Sequence, residues 1–351
     1  MSIYDSKLWI SDLDETTENL PELQELSGKS ILVTGCTGLI CSSIIDIFIR
    51  WNETHNEKII ILAAGRNEKK VITRFSPYSK NDWFTFIPYD ALSTKNIFNF
   101  LCDYIIHGAG NASPNKILKE PVETILSNFN GIKYLLDYAK NNGTKRVLYI
   151  SSSEVYGQKE DNQPYKINEY GFIDLLNSRN SYSIGKRAAE NLCASYADEY
   201  GVESVIIRPG HIYGPTAVKS DNRVSSSWAY LAAQGKNIVM KSDGSQIRSY
   251  CYCLDSASAI LKVLLKGIKT HAYNISNPNS IISIREMAEI LSKASGVELK
   301  IVLPTNTEQK GFNPMNNSSL DSSELLSLGW ESIFDAERGF SHTIKILKEI
   351  I

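Results

Sequence analysis

Residues 30–41 read SILVTGCTGLIC. The run Ser30-Ile31-Leu32-Val33 is short, apolar and β-branched, which predicts a buried strand. Gly35 and Gly38 punctuate the turn that follows, and an apolar-faced segment then runs to about Arg50. A strand, a tight glycine turn and a helix form the cradle in which a dinucleotide pyrophosphate rests on the helix N-terminus. Glycine permits the turn and lets the backbone approach the phosphates. Two of the three fingerprint glycines are present, and Cys41 fills the third position. That position chiefly serves helix–strand packing, so a small side chain is tolerated there.

The same rhythm continues outward. Further strands are expected at Ile59–Ala64, Trp83–Ile87, Tyr104–His107, Arg146–Ile150 and Ser204–Ile207. Between them, Pro121–Asn142 has helical spacing at Val122, Ile125, Phe129, Ile132, Leu135 and Leu136 and closes on Asn-Asn-Gly. A second helix is expected over Tyr182–Tyr200, ending at Gly201. Alternating strands and helices predict an α/β fold: a Rossmann-type, doubly wound parallel sheet with a smaller C-terminal substrate-binding lobe. After residue 208 the rhythm loosens, though Ser283 and Glu286 form a capping box before a helix. The expected division is an acidic extension over 1–28 with a short helix near 18–26, a dinucleotide-binding domain over 29–207 plus about 239–262, and the substrate lobe over 208–238 and 263–351.

The totals fit this picture. The chain has 351 residues, 42% hydrophobic and 22% charged, with a formal net charge of -2. No basic excess points to nucleic acid or to an anionic membrane surface. No apolar run has the length of a membrane span, and the N-terminal stretch is acidic and polar without a signal pattern. The cysteines at 36, 41, 102, 193, 251 and 253 suit reduced thiols in a cytoplasm. Cys251 and Cys253 are expected as two small residues on one strand face, and no metal site is expected.

Two chemistries follow from the residues. The second strand ends Ala63-Ala64-Gly65-Arg66-Asn67, with no acid for a ribose 2′-hydroxyl. Arg66, with Lys69 and Lys70 nearby, favours a 2′-phosphate and so NADP over NAD. Asp90, just past the third strand, is placed to meet an adenine amino group. Tyr182 and Lys186 stand at i, i+4 on one helix face. An ammonium near a phenol is expected to lower the tyrosine pKa. Such a tyrosine takes a hydroxyl proton while hydride leaves the same carbon.

The stretches TGCTGLIC, YIIHGAG, PVETILSNFNG, YISSSEVYG, YSIGK, IIRPGHIYGP and GSQIRSYCYCLD together resemble the extended short-chain dehydrogenase/reductases, in the NAD-dependent epimerase/dehydratase family of nucleotide-sugar enzymes. The resemblance covers roughly residues 29–345. It implies a catalytic set of Ser152, Tyr182 and Lys186 supported by Asn128. It also implies a cofactor lined by Gly35, Thr37, Gly38, Leu39, Ile40 and His107–Gly110, including Ala109. Substrate would be a nucleoside-diphosphate sugar, oxidised transiently at C4. Helices near 115–142 and 182–200 would pair in a homodimer.

Glu154 separates the branches. As a base at C5 it would suit a 4,6-dehydratase, although one dehydratase branch has an acid where Ser153 stands. Simple 4-epimerases need no acid there. The Ser152-Ser153-Glu154 order, NSRNSYSIGKRAAE, and Ala112-Ser113-Pro114 resemble UDP-glucuronate decarboxylases most, whose 4-keto intermediate is a β-keto acid. In that resemblance Arg223 contacts the diphosphate and Arg248 lies near the sugar carboxylate or phosphate. Two departures stand out: His211 replaces a substrate-binding asparagine, and the acid ending strand two is missing. The lead is UDP-uronate decarboxylation, with 4-epimerisation or 4,6-dehydration as alternatives. A non-catalytic dinucleotide-binding sensor is the rival from another class, and relatives of that kind usually lose the Tyr–Lys pair.

Overall fold

A computed structural model describes residues 2–93, 96–302 and 315–351. The run at 30–34 forms β1 (Ser30–Thr34), central in a seven-stranded sheet. On one side lie β2 (Ile60–Gly65) and β3 (Phe84–Pro88). On the other lie β4 (Tyr104–His107), β5 (Arg146–Ile150), β6 (Ser204–Pro209) and β10 (Ala272–Ile275). Every pairing in this sheet is parallel. The chain therefore winds outward one way from β1 and restarts beside it at β4. Ligands bind at such a reversal, outside the carboxyl ends of the strands.

Helices cover both faces, so the strands are buried on both sides and read as nearly continuous apolar runs. Ile31 and Val33 point into a core shared with α2 (Leu39–Thr54) and α8 (Cys253–Lys266). Leu32 points into the opposite core, with α5 (Pro121–Asn142) and α6 (Ser181–Tyr200). This is the period-two alternation of a strand. Gly143 and Gly201 close α5 and α6 in the left-handed conformation, as the sequence stop signals implied.

The smaller lobe holds a four-stranded sheet. In it β9 (Ile247–Tyr252) pairs with β7 (His211–Tyr213), β11 (Ile281–Ser283) and β13 (Asn317–Ser318). A second pair joins β8 (Ile238–Met240) to β12 (Leu299–Ile301). The expected division thus needs correction at two places. Most of β8 and all of β9 fall within 239–262 yet build small sheets, while β10 lies beyond 263 and is an edge strand of the main sheet. Sequence rhythm does not reveal which sheet a short strand joins. The expected capping box is present: Ser283 Oγ accepts from Glu286 N at 3.0 Å, at the head of α9 (Ile284–Ser295).

The N-terminal stretch is also corrected. Its helix is α1 (Lys7–Glu18), capped by Ser6, and residues Pro21–Leu26 form a 3-10 turn instead of the expected helix. Trp9, Leu13, Leu23 and Leu26 are fully buried in the main core, so the segment is part of the fold and not an appendage. Its acids meet cations of other elements: Asp14 with Arg50, Glu22 with Lys262, and Glu15 with Arg338 of α11 (Ala336–Ile350). Cys251 ends in β9 but Cys253 opens α8, so they do not share a strand face. All six cysteines are free and buried.

Candidate active site

The glycine turn lies at the strand reversal. Gly35 has φ +70°, and a Cβ there would stand 2.9 Å from the Ala109 amide nitrogen and the Gly108 carbonyl. Only glycine lets these two loops meet. Gly38 caps α2 without a side-chain hydrogen bond, so the first-turn amides have no side-chain cap. Thr37 and Ile40 are half-buried beside it, and Leu39 is buried with its carbonyl accepting from Ser43 and Thr216. Cys41 faces Gly108: a Cβ on Gly108 would lie 2.3 Å from its sulfur. The missing third glycine is therefore balanced by a glycine on the neighbouring strand end.

His107 does not line the crevice with its side chain, as expected of it. The ring is buried under the sheet end, with Nδ1 2.7 Å from the Thr34 hydroxyl and its face stacked on Tyr149. Burial and the Lys186 charge lower its pKa to about 3. Gly108, Ala109 and Gly110 present backbone instead. A Cβ on Gly110 would come 2.9 Å from Asn128 Oδ1. Asn128 is buried in α5, donates from Nδ2 to the Thr124 carbonyl at 2.7 Å, and leaves that Oδ1 without a partner. Asp90 accepts from the Leu92 amide at 3.1 Å, with Asn96 holding its backbone. Arg66 is exposed just past β2. Beyond it Asn67, Lys69, Lys70, Thr73 and Arg74 line an open hollow of about 480 Å³ on α3 (Glu68–Arg74).

The serine cluster, Tyr182 and Lys186 come together where β5 ends against α6. Lys186 is buried and gives Nζ to the Ile150 carbonyl at 2.7 Å. Burial lowers its pKa to about 7, opposed by the charge of Glu190. The Tyr182 phenol is buried, which raises its pKa to about 12. Within that net value the Glu154 charge adds to the rise, while the Ser152 hydroxyl's hydrogen bond and the Arg223 charge oppose it. The expected lowering of this phenol by Lys186 is thus corrected. The ammonium lies 5.7 Å from the ring centre and is turned to a carbonyl. Desolvation and a nearby carboxylate outweigh it.

A short turn sets where the acid beside the three serines points. Ser152 caps a short 3-10 turn over Ser153–Tyr156, its hydroxyl accepting from the Glu154 amide at 3.1 Å. That turn swings Glu154 toward the head of α6, where Ser183 donates to its Oε2 at 3.2 Å and Arg179 stands 3.7 Å away. Its side chain stays 43% exposed. Ser153 is half-buried on the same turn.

In the smaller lobe, Arg248 of β9 is only 4% exposed and donates to its neighbour's carbonyl, Ile247, at 2.8 Å. Among the described residues it has no carboxylate partner. His211 of β7 packs on Tyr250 and stands 3.4 Å from the Ser318 hydroxyl. Burial, Arg248 and Arg223 lower its pKa to about 3, so the ring is neutral at pH 7. Arg223 is clamped by Asp221 in a bidentate pair. Sequence reasoning missed Asp221, Ser183 and Arg179. Asp221 stands two residues from Arg223, a spacing that offered a signal; the other two are set by the fold.

The uncapped helix start, the unpartnered Asn128 Oδ1 and the buried ammonium fit a dinucleotide, and the buried Arg248 of the smaller lobe, without a carboxylate partner among the described residues, fits an anionic second ligand. Together they define a dinucleotide-binding α/β enzyme. Residues 31–276 match the NAD dependent epimerase/dehydratase family, and the chain belongs to it. UDP-glucuronic acid decarboxylase 6 of Arabidopsis thaliana is 31% identical over 87% of this chain and 84% of its own. The trifunctional UDP-glucose 4,6-dehydratase/UDP-4-keto-6-deoxy-D-glucose 3,5-epimerase/UDP-4-keto-L-rhamnose-reductase RHM3 of the same plant is 28% identical over 90% of this chain, which spans 47% of that longer protein. In fold, an epimerase from Methanothermobacter thermautotrophicus superposes with TM-score 0.80 at 18% identity, covering 95% of this chain and 96% of that one. Among the described residues no helix is long and apolar enough to cross a membrane.

Proposed function

We propose that this enzyme decarboxylates a UDP-uronate through transient oxidation at C4. The observation that carries this reading is that the Ser153–Tyr156 turn at the end of β5 carries one acid, Glu154, held by Ser183 at the head of α6. Loss of carbon dioxide from a β-keto acid needs no acid to expel a leaving group. Dehydration needs both a C5 base and an acid at the 6-hydroxyl, and Ser153 stands where that acid would be.

Bound NAD(P) would supply the hydride acceptor and donor for C4 within one turnover. Gly35, Gly38 and the first turn of α2 would hold its pyrophosphate, and Lys186 its nicotinamide ribose. Tyr182 takes the C4-hydroxyl proton, and Ser152 hydrogen-bonds the same oxygen. Asn128 supports this face from α5. With C4 a ketone, the C5–carboxylate bond breaks to release carbon dioxide and leave an enolate. Glu154, partly open to solvent, relays a proton from water to C5, and Tyr182 returns its proton when the C4 hydroxyl is restored. Arg223 holds the diphosphate, Arg248 holds the carboxylate or a phosphate, and His211 binds the sugar as a neutral hydrogen-bonding group.

Arg66, Lys69 and Lys70 favour NADP over NAD, and Arg66→Glu should then invert the ratio of the two dissociation constants. Six free thiols suit a cytoplasmic setting. Exposed Leu118, Val122 and Leu126, four residues apart on α4 (Pro114–Lys119) and α5, suit a homodimer through these helices. Light scattering giving only a 39.3 kDa species would remove the dimer.

The function itself is tested with purified protein and a mass-spectrometric panel of UDP-glucuronate, UDP-glucose, UDP-N-acetylglucosamine and dTDP-glucose. Loss of one carbon dioxide from the uronate supports the proposal. Loss of one water from a hexose would replace it with a 4,6-dehydratase, and an unchanged mass with a new chromatographic peak would replace it with a 4-epimerase. A Tyr182→Phe variant that kept full biological effect would favour a non-catalytic sensor.

A further inference from the structure

The helix face that carries Tyr182 and Lys186 continues one turn further to Glu190, so the three stand at i, i+4 and i+8 on α6. Glu190 is buried, and its carboxylate is held from two other elements. The Ser151 hydroxyl donates to Oε1. Arg208 of β6 donates to Oε1 from Nε at 3.0 Å and to Oε2 from Nη2 at 2.7 Å. Arg208 is itself fixed, donating to the Tyr156 hydroxyl at 3.1 Å, the Ile167 carbonyl at 2.8 Å and the Tyr170 hydroxyl at 2.7 Å. Such a forked pair holds one geometry. As a source of stability alone it is a poor device, because desolvating both charges offsets most of their attraction.

Its placement suggests another role. Lys186 is buried, and no carboxylate lies within ion-pair distance of it among the described residues. Six ionisable groups act on or face its ammonium: Cys41 from α2, His107 from β4, Tyr149 from β5, and Tyr182, Glu190 and Cys193 from α6. Burial raises both thiols, Cys41 to about 12, and pushes the two phenols up. His107 is neutral at pH 7. Glu190 is therefore the group of this set that brings a negative charge to the ammonium.

We propose that Glu190 is a positioning residue of the active site. Clamped by Arg208 and Ser151, its carboxylate keeps the Lys186 ammonium charged beside Tyr182. Ser151 also ties the clamp to the strand end that carries Ser152. The inference rests on the role given above to Lys186, but its test needs no turnover.

The full-length protein is labelled with acetic anhydride over a range of pH, and the reactivity of Lys186 is followed by peptide mass spectrometry. The wild-type midpoint should lie near pH 7. In Glu190→Gln it should fall by about 1 unit or more, the scale of losing one close opposite charge. Arg208→Lys keeps the carboxylate but loses the forked cation, so its midpoint should stay at or above that of the wild type. An unmoved midpoint in Glu190→Gln overturns the proposal and leaves the clamp a structural pair. Should Glu190→Gln fail to fold, Arg208→Lys decides: a fall in its midpoint overturns the proposal. If the wild-type chain decarboxylates as proposed, the alkaline limb of kcat/KM should shift to lower pH in Glu190→Gln. If it does not, the labelling result stands by itself.

Discussion

Glu154 is where one residue separates related chemistries. It hydrogen-bonds Ser183, touches the electrostatics of Tyr182 and remains partly open to solvent. Glu154→Gln keeps the shape and removes the charge. The phenol then loses an influence that raises its pKa, so it surrenders its proton at lower pH. The acidic limb of the C4-oxidation rate is expected to move down in pH. C5 protonation should be lost, slowing product formation about 10²- to 10⁴-fold. Reduced nicotinamide would accumulate on mixing with UDP-glucuronate, and its absorbance checks the outcome. Unchanged product formation would show that Glu154 is only a loop carboxylate. The sequence displayed this residue, together with Ser152, Tyr182 and Lys186, because motif spacing carries them. It did not display the sign of the Tyr182 shift. Spacing puts an ammonium near a phenol, but burial and the carbonyl of Ile150 decide where its charge acts.

At the scale of elements, the meeting of β4, β5 and α2 shows why an incomplete glycine fingerprint still forms its turn. Cys41 occupies the room left by Gly108, with Ile150 on the other side. Gly108→Ala should push a methyl group against that sulfur and destabilise the fold by about 1–3 kcal/mol. Pairing it with Cys41→Gly should recover part of the loss, giving a coupling of about 0.5–3 kcal/mol in urea unfolding. Strict additivity would mean that the two do not share this space. The strands of the main sheet up to β6 were legible within two residues at each end, because buried parallel strands are uniform apolar runs. Helix α1 was not. Trp9 and Leu13 lie i, i+4 among so many acids that the stretch reads as solvated. Their packing surface, supplied by α2 and α8, is distant in sequence.

For the whole molecule, two neutral histidines tie stability to pH. Both His107 and His211 have folded pKa values of about 3, against roughly 6.5 in an unfolded chain. Between these limits the unfolded state binds protons that the folded state refuses. Their contribution is present above about pH 6.5 and is lost as pH falls toward 3, by up to about 1.4 kcal/mol per pH unit for each ring. His211→Asn should make the fall in urea midpoint between pH 7 and pH 4 clearly shallower. An identical slope would mean that other groups govern acid unfolding.

The contacts of α1 have a consequence for how the chain is made. Asp12 accepts from the Tyr252 hydroxyl at 3.0 Å and meets His342, and Glu15 meets Arg338. A ribosome releases Asp12 and Glu15 more than three hundred residues before those last two partners. During synthesis the first helix must therefore wait, with Trp9 beside two acids that lack their C-terminal partners. The nucleotide cradle at β1 is translated early, yet the helix that braces α2 from behind becomes complete only when α11 emerges. A chain stalled before residue 338 would carry every motif of the active site and still lack the latch that closes its back.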